Sequence, residues 1–139
     1  MEHKKPKVFP DLKVLIVEDV ESVQKRMLQI LNKIGLKKIT CAKNGSDALA
    51  LLQAENACDR PFNLVISDIN MPKMSGLQLL KKIKNNPLLK STSVFMVSAR
   101  NEMESVMEAI DSGASNYLIK PFDEEKVREK IFEIYYKKN

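Results

Sequence analysis

The chain has one histidine, His3, and two cysteines, Cys41 and Cys58, among its 139 residues. With no histidine outside a basic N-terminal segment, a Ser-His-Asp or Cys-His nucleophilic engine has no base, and a histidine-rich metal site is excluded. The cysteines form no C-x-x-C pair, which removes the common zinc and redox motifs; they read as free thiols in a reducing compartment. Only four glycines are present. No G-x-G-x-x-G or Walker-type loop follows the first apolar run, which argues against a dinucleotide fold or a P-loop enzyme. Apolar runs are short as well. VLIV at 14–17 is far below the length that crosses a bilayer, so no membrane insertion is expected. The start, MEHKKPKVFPDLK, is basic but lacks the apolar stretch of a secretory signal. Residues 1–11 read as a solvated basic tail broken by Pro6 and Pro10, and a cytoplasmic protein is expected.

What is present fits an ordinary globular protein: 44% apolar and 29% charged residues in a chain long enough to bury a core without staples. The net charge of +5 gathers in the tail, in LLKKIK (79–84) and in YYKKN at the end. Such lysines read as solvated helix faces, with nucleic-acid binding the minority reading.

Along the chain, strand and helix signals alternate five times. LKVLIVED (12–19) is a buried strand. Val23, Met27, Ile30, Leu31 and Ile34 then fall at helical spacing, and Gly35 stops the helix. LKKITCA (36–42) is a second strand, and Asn44-Gly45-Ser46 starts a second helix. FNLVISD (62–68) and SGLQLLKKIKN (75–85) form the third pair. TSVFMVSA (92–99) and NEMESVMEAIDSG (101–113) form the fourth, with Gly113 at the helix end. ASNYLIK (114–120) and DEEKVREKIFEIYY (123–136) form the last, with acids in the final helix's first turn as its dipole prefers. Met96, Met103 and Met107 read as packing residues. Alternation of this kind predicts a single α/β domain, a parallel sheet covered by helices on both faces. The small size favours a flavodoxin-like (βα)5 doubly wound sheet in strand order 2-1-3-4-5.

Ligands of such sheets bind beyond the carboxyl ends of the strands, where strand order reverses. That place lies between the first and third strands. The first ends in Glu18-Asp19 and the third in Asp68. Neighbouring strands run ~4.8 Å apart, so three carboxylates converge on one small volume. The fourth strand delivers Ser98 to the same edge, and the fifth delivers Lys120-Pro121-Phe122. Crowded carboxylates repel, and a divalent cation relieves that repulsion. Oxygen-only ligands favour Mg²⁺, which sits beside phosphate. Lys120 adds a fixed positive charge and Ser98 a hydroxyl donor, so the edge reads as a cradle for a phosphoryl group with Asp68 as nucleophile. Each residue also has a plainer reading. Asp68 before N-x-P is a turn former, Glu18-Asp19 or Ser98 a helix cap, Lys120 a surface lysine, and Tyr117 a half-buried sheet aromatic. The coincidence of four strand ends with complementary chemistry favours the cradle.

With VLIVED, LVISDINMPKMSG, FMVSA and SGASNYLIKPF in place, the sequence resembles the receiver domain of two-component response regulators, most closely the single-domain chemotaxis (CheY-like) type. The resemblance runs from about Leu12 to Tyr136, and a receiver domain over 12–137 is expected. It implies that Asp68 accepts phosphate from a phosphohistidine on a sensor histidine kinase or histidine phosphotransfer protein. It implies Mg²⁺ on Glu18, Asp19, Asp68 and the backbone carbonyl of Asn70, with Ser98 and Lys120 on the phosphoryl oxygens. Pro72 and Gly76 then shape the loop after the acceptor, and Lys120–Pro121 is a cis peptide. Tyr117 matches a switch aromatic that turns inward as Ser98 moves, remodelling the face made by the fourth helix, fifth strand and fifth helix. Asn70 and Arg100 are expected to set the dephosphorylation rate. Output is expected through docking to a target protein, a flagellar motor switch component or another partner, unless the chain is one receiver of a longer protein. Three alternatives compete. A Mg²⁺-dependent phosphatase of the haloacid-dehalogenase type would place a second carboxylate where Asn70 stands. A basic DNA-binding module has no spare helix-turn-helix segment. A pseudo-receiver would not need the intact set of Glu18, Asp19, Asp68, Ser98 and Lys120.

Overall fold

A computed structural model describes residues 11–136. Most of the proposed basic tail, and Lys137 and Lys138 after the last helix, lie outside the described residues. Strand and helix alternate throughout: β1 (Lys13–Val17), α1 (Glu21–Lys33), β2 (Lys38–Ala42), α2 (Gly45–Ala57), β3 (Leu64–Asp68), α3 (Gly76–Lys84), β4 (Ser93–Ser98), a 3-10 turn (Arg100–Glu102), α4 (Met103–Asp111), β5 (Asn116–Ile119) and α5 (Glu124–Tyr136). The five strands form one parallel sheet in the order β2-β1-β3-β4-β5.

The strand alternation divides the core in two. Leu15, Val17, Val65, Val94 and Met96 pack on one face with Ala48 and Leu52 of α2, Leu79, Leu80 and Ile83 of α3, and Val106 and Ala109 of α4. Val14, Ile16, Leu64, Ile66, Phe95, Val97 and Leu118 pack on the other with Met27, Ile30 and Leu31 of α1 and Val127 and Ile131 of α5. Helices cover both faces, which is why the central strands read as nearly unbroken apolar runs. Helix ends follow local chemistry. The Asn44 side chain caps α2 by accepting from the Asp47 N–H at 2.8 Å, and Ser75 and Gln78 form a reciprocal capping box on α3. Gly35 and Gly113 end their helices at φ of 105° and 111°, backbone that glycine adopts without steric cost.

Two expectations need correction. The predicted helix over 101–113 is shorter: α4 begins at Met103, because the Glu102 side chain folds back to accept from the Ala99 N–H at 2.7 Å and tightens the approach into a 3-10 turn. Met103 and Met107 are not core residues. They lie on the outer side of α4, Met107 being 59% exposed, because Val106 and Ala109 are the α4 residues that meet the sheet. Met96 is fully buried as expected.

Candidate functional site

The sheet register builds the site. β1 and β3 run side by side, with Val17 opposite Ser67, so Glu18 and Asp68 follow at the same level. β3 pairs Asp68 with Val97 of β4, and β4 pairs Ser98 with Ile119 of β5. Residues up to 102 positions apart thus leave one sheet edge together. Glu18, Asp19 and Asp68 each bring a carboxylate oxygen within 4.8 Å of the others. The Lys120 Nζ lies 3.3 Å from Asp68 Oδ2 and 3.6 Å from Glu18 Oε1.

Burial decides the electrostatics. Glu18 is 4% exposed and Asp68 7%, whereas Asp19 is open to solvent. Loss of hydration pushes the Glu18 carboxyl up to about 7. The Val20 N–H, donating to Glu18 Oε2 at 3.1 Å, pulls it back; the Asp68 charge adds to the rise. Burial raises Asp68 as well, against the pull of Lys120 and of the Asn70 N–H, which donates to Asp68 Oδ1 at 3.4 Å. Burial acts to depress Lys120, but Asp68 and Glu18 outweigh it and hold the ammonium above its ordinary range. The pocket therefore carries more carboxylate than one lysine comfortably balances. An all-oxygen donor set short of positive charge fits a hard divalent cation such as Mg²⁺.

The remaining predicted residues lie on β4, β5, the start of α3 and the loops that follow the strands. Ser98 is wholly buried, and its hydroxyl has no hydrogen-bond partner among the described residues. The Lys120–Pro121 peptide is cis. Gly76 approaches the acceptor loop so closely that a Cβ there would lie 2.1 Å from the Asp68 carbonyl oxygen. Its N–H donates to the Ile69 carbonyl at 2.8 Å, while the Pro72 carbonyl accepts from the Met74 N–H at 2.8 Å. Between them Lys73 takes a φ of 70°, so the loop is drawn tight directly after Asp68. Asn70 and Pro72 are exposed on it. Tyr117 is half-buried at the margin of the core, with the Lys130 ammonium 4.7 Å from its ring centroid. Arg100, Tyr117, Lys120, Lys126 and Lys130 line a cleft of about 350 Å³ between the 3-10 turn and α5.

Two contributors escaped the sequence reading. Gln24 Nε2 donates to the Glu18 carbonyl at 3.1 Å and holds the turn that carries the acidic pair; nothing in the sequence signals this. Glu102, whose charge raises the Asp68 carboxyl, was legible only as a glutamate three residues after Ala99, half of a capping-box pattern. The reading of Glu18-Asp19 as a side-chain cap for α1 does not hold. The N-cap of α1 is Val20, without a side-chain cap, although Glu18 does accept the Val20 N–H.

Comparison with known proteins agrees with this architecture. The family model described as the response regulator receiver domain matches residues 14–132. The chain is 31% identical to the chemotaxis protein CheY of Pseudomonas aeruginosa, covering 92% of this chain and 99% of that protein. It is 34% identical to a probable chemotaxis protein CheY of Rhizobium etli, covering 89% and 92%. The solved structure of the chemotaxis response regulator CheY4 of Vibrio cholerae superposes with a TM-score of 0.77 at 29% identity, covering 88% of this chain and 98% of that one. By its fold, by the motifs at its strand ends and by these matches, the chain belongs to the response regulator receiver domain family.

Proposed function

We propose that residues 12–137 act as a phosphoacceptor switch in two-component signalling, with Asp68 the accepting group. The observation that carries this reading is the convergence of Asp68 with Glu18, Asp19 and Lys120 at one sheet edge in a chain of this family. The donor is a phosphohistidine of a sensor histidine kinase or histidine phosphotransfer protein. An Asp68 carboxylate oxygen attacks phosphorus, the phosphorus–nitrogen bond breaks, and the electron pair returns to the imidazole, which then takes a proton. Lys120 holds its ammonium against the acceptor and meets the phosphoryl oxygens as they arrive. Ser98 offers a hydroxyl donor beside them. Glu18, Asp19 and Asp68, with the Asn70 backbone carbonyl, would hold Mg²⁺, which when bound neutralises charge on the incoming phosphoryl oxygens. The protein promotes only its own phosphorylation and dephosphorylation and turns over no separate substrate.

The added charge draws Ser98 and Lys120 toward Asp68 and frees Tyr117 to turn inward. The face of α4, β5 and α5, which carries exposed Met103, Met107 and Ile110 on α4 and Lys126 and Lys130 on α5, then changes affinity for a target protein. Three relatives bear chemotaxis names, so a flagellar motor switch component is the first target to test. A cytoplasmic location suits a chain in which no described helix is long and apolar enough to cross a membrane.

The test is intact-mass spectrometry after incubation with Mg²⁺ and acetyl phosphate. A gain of one phosphate is expected in the wild type and none in Asp68→Asn or without metal. Labelling that persists in Asp68→Asn would refute the assignment. Continuous release of phosphate from an unrelated ester would favour a phosphatase instead.

A further inference from the structure

The peptide step that carries Ser98 is held at both ends. The Ser98 carbonyl accepts from the Lys120 N–H at 2.8 Å. The next amide, that of Ala99, donates to Glu102 Oε1 at 2.7 Å. Between these clamps the Ser98 hydroxyl is buried with no hydrogen-bond partner among the described residues. An unpaired buried hydroxyl gains from almost any displacement that finds an acceptor. The backbone is therefore what keeps it in place.

The two clamps belong to residues of opposite charge, and both feel the acceptor. Lys120 touches Asp68 directly. Glu102 is half-buried at the end of the 3-10 turn, and it holds the amide two residues beyond Val97, the β4 partner of Asp68. A phosphoryl group on Asp68 brings more negative charge to the same place. It attracts the lysine side and repels the glutamate side.

We infer that Glu102 is a positioning residue for Ser98: in the unmodified protein its carboxylate latches the β4–α4 loop through the Ala99 amide, and phosphoryl charge on Asp68 loosens that latch. This rests on the phosphoacceptor reading of Asp68 and adds the element that carries the charge into the backbone. The latch sits one residue before α4, so its release bears directly on the exposed face that begins at Met103. Loosening occurs at the Ala99 end, because the Lys120 end is strengthened by the same charge.

The experiment is residue-resolved amide exchange by NMR on wild type, Glu102→Gln and Glu102→Ala, with and without Mg²⁺ and acetyl phosphate, labelling being followed by intact mass. In the wild type, exchange at Ala99 rises on the order of tenfold on phosphorylation, as expected when a hydrogen bond to a charged acceptor is weakened. Glutamine keeps an acceptor without the charge, so its Ala99 amide responds by less than about twofold. Alanine removes the latch, and exchange is fast in both states. Met96, within β4, is the internal reference. Labelled wild type with unchanged Ala99 exchange overturns the inference, as does a glutamine variant that responds like the wild type. A rise at Ala99 matched at Met96 is general loosening and also counts against it. Were Asp68 to take no phosphoryl group, the phosphoacceptor reading would fall and the latch with it. A labelled protein with an unmoved loop sinks the latch alone.

Discussion

Burial of the acidic centre makes metal-free stability depend on pH, with a sign opposite to that of an ordinary salt-bridged carboxylate. Glu18 has an ordinary value of 4.5 and sits at about 7 in the folded chain. Between those values the native state holds a proton that the unfolded chain has released. Stability therefore falls as pH rises through this window, and the favourable contribution is complete only below about 4.5. The span of roughly 2.5 units, at about 1.4 kcal/mol per unit, corresponds to about 3 kcal/mol. Solvent reaching the pocket past the open Asp19 screens part of it, so this is an upper figure. Asp68 is raised in the same direction and adds to the slope. In a domain of this size about 3 kcal/mol corresponds to a melting-temperature change on the order of 10 °C.

The assay is thermal and urea unfolding in a chelator between pH 4.5 and 8, on wild type and Glu18→Gln. The wild type is expected to lose stability across the window. The glutamine variant should lose much less and be the more stable protein at pH 8. Mg²⁺ should reverse the wild-type trend, stabilising strongly at pH 8 and weakly at pH 5, because the metal needs the ionised carboxylate. A glutamine variant that keeps the full wild-type slope would refute the assignment of the slope to Glu18. A metal-free wild type that gains stability with rising pH would refute the burial argument itself.

Three further outcomes follow from the geometry. Gly76→Ala drives a Cβ to 2.1 Å from the Asp68 carbonyl, so urea unfolding should register a loss of about 3 kcal/mol or more, and a loss under about 1 would contradict the close approach. Ser98→Ala removes a buried hydroxyl with no partner among the described residues and should stabilise the unphosphorylated protein by about 1 kcal/mol while weakening its response to phosphorylation; a clear destabilisation would mean that the hydroxyl has a partner. Substitution of Asn70, whose N–H meets Asp68, and of Arg100, which lines the cleft beside Lys120, should change the phosphoryl lifetime measured by decay of the labelled mass. An unchanged lifetime in both would remove them as tuning positions.

Much of the fold was legible because its signals are local. Runs such as VLIV and LVI are apolar on both faces only when helices cover both sides of a sheet. Gly35 and Gly113 mark helix ends through backbone sterics that need no partner. The convergence of Glu18, Asp19, Asp68, Ser98 and Lys120 at one edge was also readable, since parallel strands in a known order deliver their last residues to the same side. Element ends were less so: β5 is shorter than the 114–120 stretch suggests, and α4 starts late because a side chain competes for the Ala99 amide.

The sequence by itself determined which residues leave the strands and what chemistry each can offer, because those properties belong to single residues and to period-two and period-3.6 patterns. Only the tertiary structure decided how far each group is removed from water and what stands against it. That placed Met103 and Met107 outside, left the Ser98 hydroxyl without a partner among the described residues, raised Glu18 and Asp68, and set Glu102 against the loop that carries Ser98. Solvation and Coulomb energies depend on through-space distances between segments far apart in the chain, and no local pattern encodes those distances.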